Sequence, residues 1–297
     1  MDEKKRAYLL DIISKFIGLV SIKLPDDVWE GILGLSMEEK DERASLIFKA
    51  MTENQRIADT EKRPCCQDTG VVNFFVKAGS TFPYLGELRS ILTEAVRKAT
   101  LDVPLRHNTV SIFEGRNFGD NLGDGMPFIF WEIEKGSEIE LSVYLAGGGC
   151  SLPGRSYTFM PSDGYEAIVR YIFDTSVEWG INACPPLTLG IGIAGSSDIA
   201  SYLSKKALLR PIGKPSDNPY AQRFESILKD GLDRIGIGPQ GLGGLKSVLA
   251  VQVEVAARHP STISVGLSIG CWSLRKGTLL IDKDLNYEIL SHRGTSL

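Results

Sequence analysis

Residues 64–76 read Pro64-Cys65-Cys66-Gln67-Asp68-Thr69-Gly70-Val71-Val72-Asn73-Phe74-Phe75-Val76, and they mark the point where a helical pattern gives way to an extended one. The proline ends the helical region, because it cannot donate the backbone hydrogen bond that a helix needs. The apolar run 71–76 has the length and composition of a buried strand. A helical region that leads through a polar turn into a strand predicts an α/β or α+β fold.

The first sixty residues form a mainly helical segment. Apolar residues recur there at spacings of three and four, which predicts one helix that ends at Pro25, with the stripe Leu9, Ile13, Phe16 and Val20. A short second helix is predicted through Trp29 and Leu33. Ser36 followed by Glu39 matches a capping box, which predicts that a third helix begins there. We interpret 1–60 as the N-terminal part of one catalytic unit that covers 1–297.

Helices and strands are mixed along the rest of the chain. The apolar periodicity predicts helices over Leu85–Ala99, Gly164–Trp179, Ser197–Leu209 and Ala221–Ile235. Short apolar runs predict strands over Leu187–Ile193, Val248–Val255 and Ile263–Ile269. Residues 110–144 are predicted to hold strands that are separated by a loop rich in Gly, Asn and Asp, Gly115–Gly125. The intermixing supports the same fold class.

The composition excludes several kinds of protein. The chain has 297 residues, 43% hydrophobic and 24% charged, with a formal net charge of −4. It has no block of basic residues, which argues against a nucleic-acid surface. The apolar stretch Tyr8–Leu24 is interrupted by Asp11, Lys15 and Lys23, so it is not a membrane span. It also lacks the pattern of a signal peptide, and we therefore expect a cytoplasmic location.

The five cysteines are the first candidates for chemistry. An odd number in a chain without a secretion signal argues against a disulfide framework, and the simplest alternative is five small buried side chains. Three of them stand beside residues that bend the backbone: Cys66 near Gly70, Cys184 before Pro185-Pro186, and Cys271 after Gly270. No CxxC pair of a zinc site is present, and widely spaced single cysteines fit an iron–sulfur cluster better. Three ligands would leave one iron open to a substrate, which favours catalysis over electron transfer.

Several other residues could bind an anionic substrate. The triple glycine 147–149 could bring backbone amides close to an anion, although it is neither a P-loop nor a dinucleotide fingerprint. Arg106 offers a bidentate fork for a carboxylate, and His259 offers a second hydrogen-bonding group. Each of these is also compatible with a plain structural role. We expect His292 to be solvated, and we interpret the glycine-rich run 236–244 as a turn before a strand.

Four segments together resemble a known family. They are Cys66-Gln67-Asp68-Thr69-Gly70, Cys184-Pro185-Pro186, Ala257-Arg258-His259-Pro260-Ser261-Thr262 and Gly270-Cys271-Trp272. These segments resemble the alpha part of the iron–sulfur hydro-lyases, the group that contains the class I fumarases. The separations of 118 residues from Cys66 to Cys184 and 87 from there to Cys271 are similar to those of its cluster cysteines. The resemblance extends across nearly the whole chain.

The resemblance implies a cofactor and a set of site residues. A [4Fe–4S] cluster would be held by Cys66, Cys184 and Cys271. The positions that match substrate contacts or catalytic groups are Gln67, Asp68, Arg106, Gly148 and His259. Cys65 and Cys150 match no ligand position, so we interpret both as structural.

The resemblance also implies a partner. In fused class I fumarases a second, beta-type region supplies the catalytic base, and this chain ends at Leu297 without one. We therefore expect a separate beta subunit, an alpha2–beta2 assembly, a small dicarboxylate substrate and little activity of this chain alone. Class I fumarases tend to carry Lys before the glycines and Ser-Glu-Asn after them, whereas this chain has Ala146 and Cys150-Ser151-Leu152. The departure favours another member of the group. A fumarase alpha subunit and a non-catalytic iron–sulfur sensor remain the alternatives.

Overall fold

The structure, a computed structural model, describes residues 2–297. Its α-helices are α1 Glu3–Ile22, α2 Asp26–Glu38, α3 Glu42–Glu61, α4 Leu85–Asp102, α5 Gly148–Ser151, α6 Gly164–Trp179, α7 Ser197–Ala207 and α8 Pro219–Ile235. Its strands are β1 Val71–Gly79, β2 Phe128–Glu134, β3 Ile139–Ala146, β4 Arg155–Phe159, β5 Leu187–Ala194, β6 Val248–Val255, β7 Ile263–Gly270, β8 Lys276–Ile281 and β9 Tyr287–Ile289. The content of helices and strands confirms the predicted fold class.

The chain divides into two compact units. The first unit comprises Met1–Asp26, Asn54–Gly147 and Arg275–Leu297, and the second comprises Asp27–Glu53 and Gly148–Leu274. Each unit has its own sheet and its own apolar core. The expectation that residues 1–297 act as one catalytic unit concerns activity, and it stays a prediction.

The first unit is built on a five-stranded mixed sheet in the order β2-β1-β3-β8-β9. Strands β1 and β2 are parallel, and the other neighbours are antiparallel. Helices α1 and α4 pack together and contribute to the core that covers one face of the sheet. The predicted stripe of α1 is confirmed, because all four of its members are completely buried: Leu9, Ile13, Phe16 and Val20.

The second unit is built on a four-stranded sheet in the order β4-β7-β5-β6. Strands β5 and β6 are parallel, whereas β7 is antiparallel to both β4 and β5. Helix α7 packs against β5 and β7, and α8 packs against β6. Asn218 caps α8 by accepting from Tyr220 N and Ala221 N at 3.0 and 3.2 Å. The capped helix and the sheet together enclose the second core.

The start of the third helix was predicted incorrectly. Ser36 lies inside α2, and Glu39 follows the end of that helix. Asp41 is the residue that caps α3, because its Oδ1 atom accepts from Arg43 N and Ala44 N at 3.0 Å each. Glu39 accepts from Lys40 N and Asp41 N through Oε1, in the turn before α3, and from Leu245 N at 2.8 Å through Oε2, so its carboxylate joins that turn to a distant loop. The capping-box pattern is local, and a tertiary contact has replaced it here.

Other differences concern short or irregular segments. Val110 forms only an isolated bridge with Asn117, so the predicted strand at the start of 110–144 is absent within the described residues. His292 is fully buried, contrary to our expectation, and its ring nitrogens contact Ser291 Oγ at 2.8 Å and Lys23 O at 3.0 Å. Three short strands were not predicted: β4, β8 and β9. Within residues 2–297, no helix is both long enough and apolar enough to cross a membrane.

Candidate active site

The turn Cys66–Gly70 leads directly into β1 in the first unit. Gly70 has φ +83°, and a Cβ atom at this position would lie 2.9 Å from the carbonyl carbon of Ala146. Only glycine fits such a turn without strain. The Gly70 amide donates to Asp68 Oδ1 at 3.0 Å, which closes the turn and orients the carboxylate. Cys66 is half-buried and Gln67 is exposed, so both side chains are accessible from this turn.

The segment Arg106–Asn108 lies on this turn. Arg106 N donates to Thr69 Oγ1 at 3.0 Å, and Asn108 Nδ2 donates to Asp68 Oδ1 at 2.9 Å. These bonds place the exposed Arg106 guanidinium on a segment that is attached to the turn carrying Asp68. The structure therefore brings Cys66, Asp68 and Arg106 onto adjoining segments of the first unit. Their roles in binding a cluster or a substrate stay a prediction.

Asn121 holds that segment in place, and the sequence analysis did not identify it. It is buried, and its Oδ1 atom accepts from Asn108 N at 2.7 Å. Its Nδ2 atom donates to Arg106 O at 2.9 Å and to Thr100 Oγ1 of α4 at 3.1 Å. A buried amide with these partners fixes the loop to the helix. The only signal in the sequence was its place in a loop rich in Gly, Asn and Asp.

Two of the three candidate cluster cysteines are brought together in the second unit. Trp272 N donates to Cys184 O at 3.1 Å, so the backbone after Cys271 is bound to the backbone of Cys184. Cys184 is exposed, whereas Cys271 is 8% exposed and its Sγ atom lies 3.3 Å from Ser273 Oγ. A hydroxyl at that distance can donate a hydrogen bond to a thiolate and stabilise it.

Cys184 has an unusual backbone conformation. Its φ is +52° and its ψ is +76°, which is the left-handed region. This conformation costs a non-glycine residue free energy, and such residues concentrate at functional sites.

The glycine segment approaches the same turn. Gly148 begins the single-turn helix α5, and its carbonyl accepts from Leu152 N at 3.0 Å. A Cβ atom on Gly149 would lie 2.3 Å from Asn182 O, two residues before Cys184. The absence of side chains therefore allows α5 to pack tightly against the segment that leads to Cys184. Gly148 itself is exposed, so its backbone is accessible to a ligand.

His259 lies in the loop between β6 and β7 and is exposed. Its Nδ1 atom accepts from Ser261 N at 3.2 Å. In a neutral imidazole the other ring nitrogen then carries the proton, so Nε2 can donate to a ligand. The loop is held at the end of β5, because Thr262 Oγ1 donates to Gly195 O at 3.0 Å.

The donor set suits an iron–sulfur cluster. All five cysteines are thiols rather than disulfides, and thiolates are the ligands that such clusters require. In the part of the chain that the structure describes, no three Cys, His, Asp or Glu side chains are grouped around one metal-ion position.

Cys65 is buried, its amide donates to Ser21 O at 3.0 Å and its carbonyl accepts from Asn54 Nδ2 at 2.7 Å. Those contacts support a structural role for Cys65.

The family to which the chain belongs identifies it as a hydro-lyase. Residues 10–279 match the family of fumarate hydratase (Fumerase), and the chain belongs to that family. The resemblance found in the cysteine, Arg-His-Pro and Gly-Cys-Trp segments is thereby confirmed.

Three named relatives are similar to the chain over most of its length. The chain is 49% identical to L(+)-tartrate dehydratase subunit alpha of Escherichia coli (strain K12), over 97% of this chain and 96% of the relative. It has the same identity and coverage with the protein of that name from Escherichia coli O157:H7. It is 35% identical to the putative L(+)-tartrate dehydratase subunit alpha of Methanocaldococcus jannaschii, over 92% of this chain and 98% of the relative. These names agree with the departure from the class I fumarase pattern at Ala146 and Cys150.

Proposed function

We propose that this chain is the alpha subunit of an iron–sulfur dehydratase that removes water from L(+)-tartrate to give oxaloacetate. The observation that carries the proposal is the 49% identity, over 97% of the chain, to proteins named L(+)-tartrate dehydratase subunit alpha. The turn Ala146–Ser156 supports tartrate over malate, because it lacks the Lys and the Ser-Glu-Asn of class I fumarases.

Cys66, Cys184 and Cys271 are the proposed ligands of a [4Fe–4S] cluster. When bound by three thiolates, such a cluster supplies an open iron that acts as a Lewis acid on the leaving hydroxyl. The side chains of the protein orient the cluster ligands and bind the substrate. Ser273 Oγ, 3.3 Å from Cys271 Sγ, donates to that thiolate and fixes its orientation.

Arg106 and His259 are the proposed carboxylate ligands. The exposed Arg106 guanidinium can bind one substrate carboxylate through two parallel hydrogen bonds. His259 can donate to a carboxylate through Nε2, because Nδ1 already accepts from Ser261 N. Both interactions stabilise negative charge that grows on the substrate as the proton leaves the carbon.

Gln67, Asp68 and Gly148 complete the proposed substrate contacts. Asp68 is held through Oδ1 by Gly70 N and Asn108 Nδ2, so its Oδ2 atom has a fixed direction. An oriented carboxylate can accept from a substrate hydroxyl and select for its presence. The exposed Gly148 backbone can approach an anionic substrate closely.

A beta subunit is the proposed partner, in an alpha2–beta2 assembly. The relatives are named as alpha subunits, which supports a second kind of chain. The proposal places the base that removes the carbon-bound proton on that chain. We therefore expect this chain alone to have little activity, and sedimentation of the mixed subunits measures the stoichiometry.

Cluster loading tests the ligands. The chain is reconstituted with iron and sulfide without oxygen, and iron per chain and visible absorption are measured for Cys66→Ser and Cys65→Ser. We expect Cys66→Ser to lose most of the cluster, because a hydroxyl is a poor ligand for iron in this setting. Cys65→Ser is the matched control and should load normally. Equal loading of both variants would contradict the assignment of Cys66.

Turnover with the beta subunit tests the substrate. The reconstituted pair is supplied with L(+)-tartrate or malate, and oxaloacetate or fumarate is measured. Formation of oxaloacetate from tartrate supports the proposal. Turnover of malate alone would identify a class I fumarase alpha subunit, which the family match also favours as the second candidate. A loaded pair without activity on either would favour the sensor.

A further inference from the structure

Arg275 is a charged side chain in the core of the first unit. It is 2% exposed and is among the largest of the fully buried side chains. Its carbonyl accepts from Leu145 N at 3.0 Å, which continues the pairing of β3 with β8 by one residue. This bond fixes the point from which the guanidinium extends. A guanidinium in such a place needs an acidic or strongly polar neighbour, because burying a charge without a partner is strongly destabilising.

The surroundings of Gly147 show that the Asp68 carboxylate lies near the Arg275 guanidinium. A Cβ atom built on Gly147 would lie 3.0 Å from Asp68 Oδ2 and 3.7 Å from Arg275 Nη2. The carboxylate and the guanidinium therefore border the same small space, which glycine leaves open. The other oxygen of Asp68 already accepts from Gly70 N and Asn108 Nδ2. Oδ2 is consequently the oxygen that faces Gly147 and Arg275.

We infer that Arg275 is a positioning residue, whose guanidinium holds Asp68 Oδ2 in the direction from which the substrate approaches. This inference rests on the proposed substrate contact of Asp68. Arg275 acts through Asp68 rather than on the substrate, because a side chain that is 2% exposed has almost no accessible surface to offer a ligand. Gly147 belongs to the same arrangement, because a methyl group there would press on the carboxylate. Arg275 was not a candidate from the sequence, and Gly147 was considered only as part of the triple glycine 147–149.

A stability cycle on the full chain tests the pairing without any activity. Melting temperatures are compared for Arg275→Gln, Asp68→Asn and the double variant. Paired groups should be coupled, so the double variant should lose clearly less than the two single losses together. Arg293→Gln, which changes an exposed arginine of the same unit, should be additive with Asp68→Asn. Additive losses with Arg275→Gln would overturn the inference.

Kinetics of the reconstituted pair test the positioning. We expect Arg275→Gln to lower kcat per loaded cluster by about 100-fold, as small misplacements of a substrate-contacting group do, with a much smaller change in KM. Arg275→Lys keeps the charge and should recover part of that loss. Gly147→Ala, which removes no charge, should also lower kcat.

A normal kcat in Arg275→Gln or Gly147→Ala would overturn the inference. Loss of folding in Arg275→Gln would leave the Lys and Gly147 variants to decide it. The melting cycle needs no substrate, so it still decides the pairing of Arg275 with Asp68 if the pair fails to turn over tartrate. A failure of the proposed function and a failure of this inference are thus distinguishable.

Discussion

At the scale of single residues, Cys184 combines a candidate ligand with a strained backbone. Its left-handed φ of +52° is a conformation that glycine adopts at no steric cost. The side chain is nevertheless exposed rather than used for packing. A non-glycine residue in this conformation is well explained if its thiolate is needed, because strain of this kind is retained where function requires the side chain.

The strain at Cys184 can be measured with two substitutions. Cys184→Gly and Cys184→Ala both remove the sulfur, but only glycine relieves the left-handed backbone. We expect the glycine variant to be more stable than the alanine variant by about 1 kcal/mol in urea unfolding of the chain without cluster. Both variants should lose the cluster. An alanine variant as stable as the glycine variant would show that the backbone at 184 is not strained.

At the scale of elements, α6 and β4 meet through aromatic side chains. The rings of Phe159 on β4 and Tyr171 on α6 lie 5.8 Å apart in an edge-to-face arrangement. The hydroxyl of Tyr171 is buried and has no hydrogen-bond partner among the described residues. Burial raises the pKa of Tyr171 above its ordinary value of 10.0, because the charged phenolate is poorly solvated there. The contact between the Phe159 and Tyr171 rings is therefore apolar in character, and the hydroxyl weakens it.

Removal of that hydroxyl should stabilise the protein. Tyr171→Phe is expected to raise the free energy of unfolding by about 1 kcal/mol, since a buried hydroxyl without a partner is destabilising. Because the pKa of Tyr171 is raised in the folded state, the phenol is neutral in both states below pH 10.0 and does not make the free energy of unfolding depend on pH there. At higher pH the unfolded state ionises first, so the free energy of unfolding falls as the pH rises through the folded pKa. Tyr171→Phe should lack this fall in the free energy of unfolding at alkaline pH. Urea unfolding at several pH values measures it.

The matched control is Tyr165→Phe, on the same helix but 72% exposed. It should change neither the stability nor its alkaline dependence. A destabilised Tyr171→Phe variant would indicate that the hydroxyl has a favourable partner, such as water.

At the scale of the whole molecule, the chain builds its units from separated segments. The first unit requires the C-terminal segment Arg275–Leu297, which supplies β8 and β9. Strand β8 pairs with β3, and its Leu279 and Ile281 are fully buried in the first core. The first unit is therefore complete only after the last part of the chain has joined it.

Truncation should test this dependence. A chain that ends at Leu274 lacks both strands, so β3 becomes an edge and the core loses three buried side chains, Leu279, Ile281 and Leu285. We expect α1 and α4 to lose most of their amide exchange protection, measured by mass spectrometry. A chain that ends at Gly294 keeps both strands and should retain it. Full protection in the shorter chain would mean that the first unit folds without its C-terminal strands.

Features of the fold that depend on neighbouring residues were predictable from the amino-acid sequence. The period of Leu9, Ile13, Phe16 and Val20 determined α1, and the apolar run after Gly70 determined β1, because these signals arise within one or two turns of chain. The candidate residues of the site were also recognisable, because their motifs are contiguous. That Cys66, Cys184 and Cys271 share one cluster stays a prediction, as do the roles of the proposed substrate contacts, Gln67, Asp68, Arg106, Gly148 and His259.

Contacts between residues that are distant in the chain became known from the three-dimensional fold. It showed that Asp41 rather than Ser36 caps α3, and that Glu39 joins the turn before this helix to Leu245. It placed Asn108 and Gly147 around Asp68, and it placed the Arg275 guanidinium beside the same glycine, far along the chain. Short strands such as β8 are defined by partners that lie far away in the sequence. Their position follows from sheet register and burial, and no local pattern encodes those contacts.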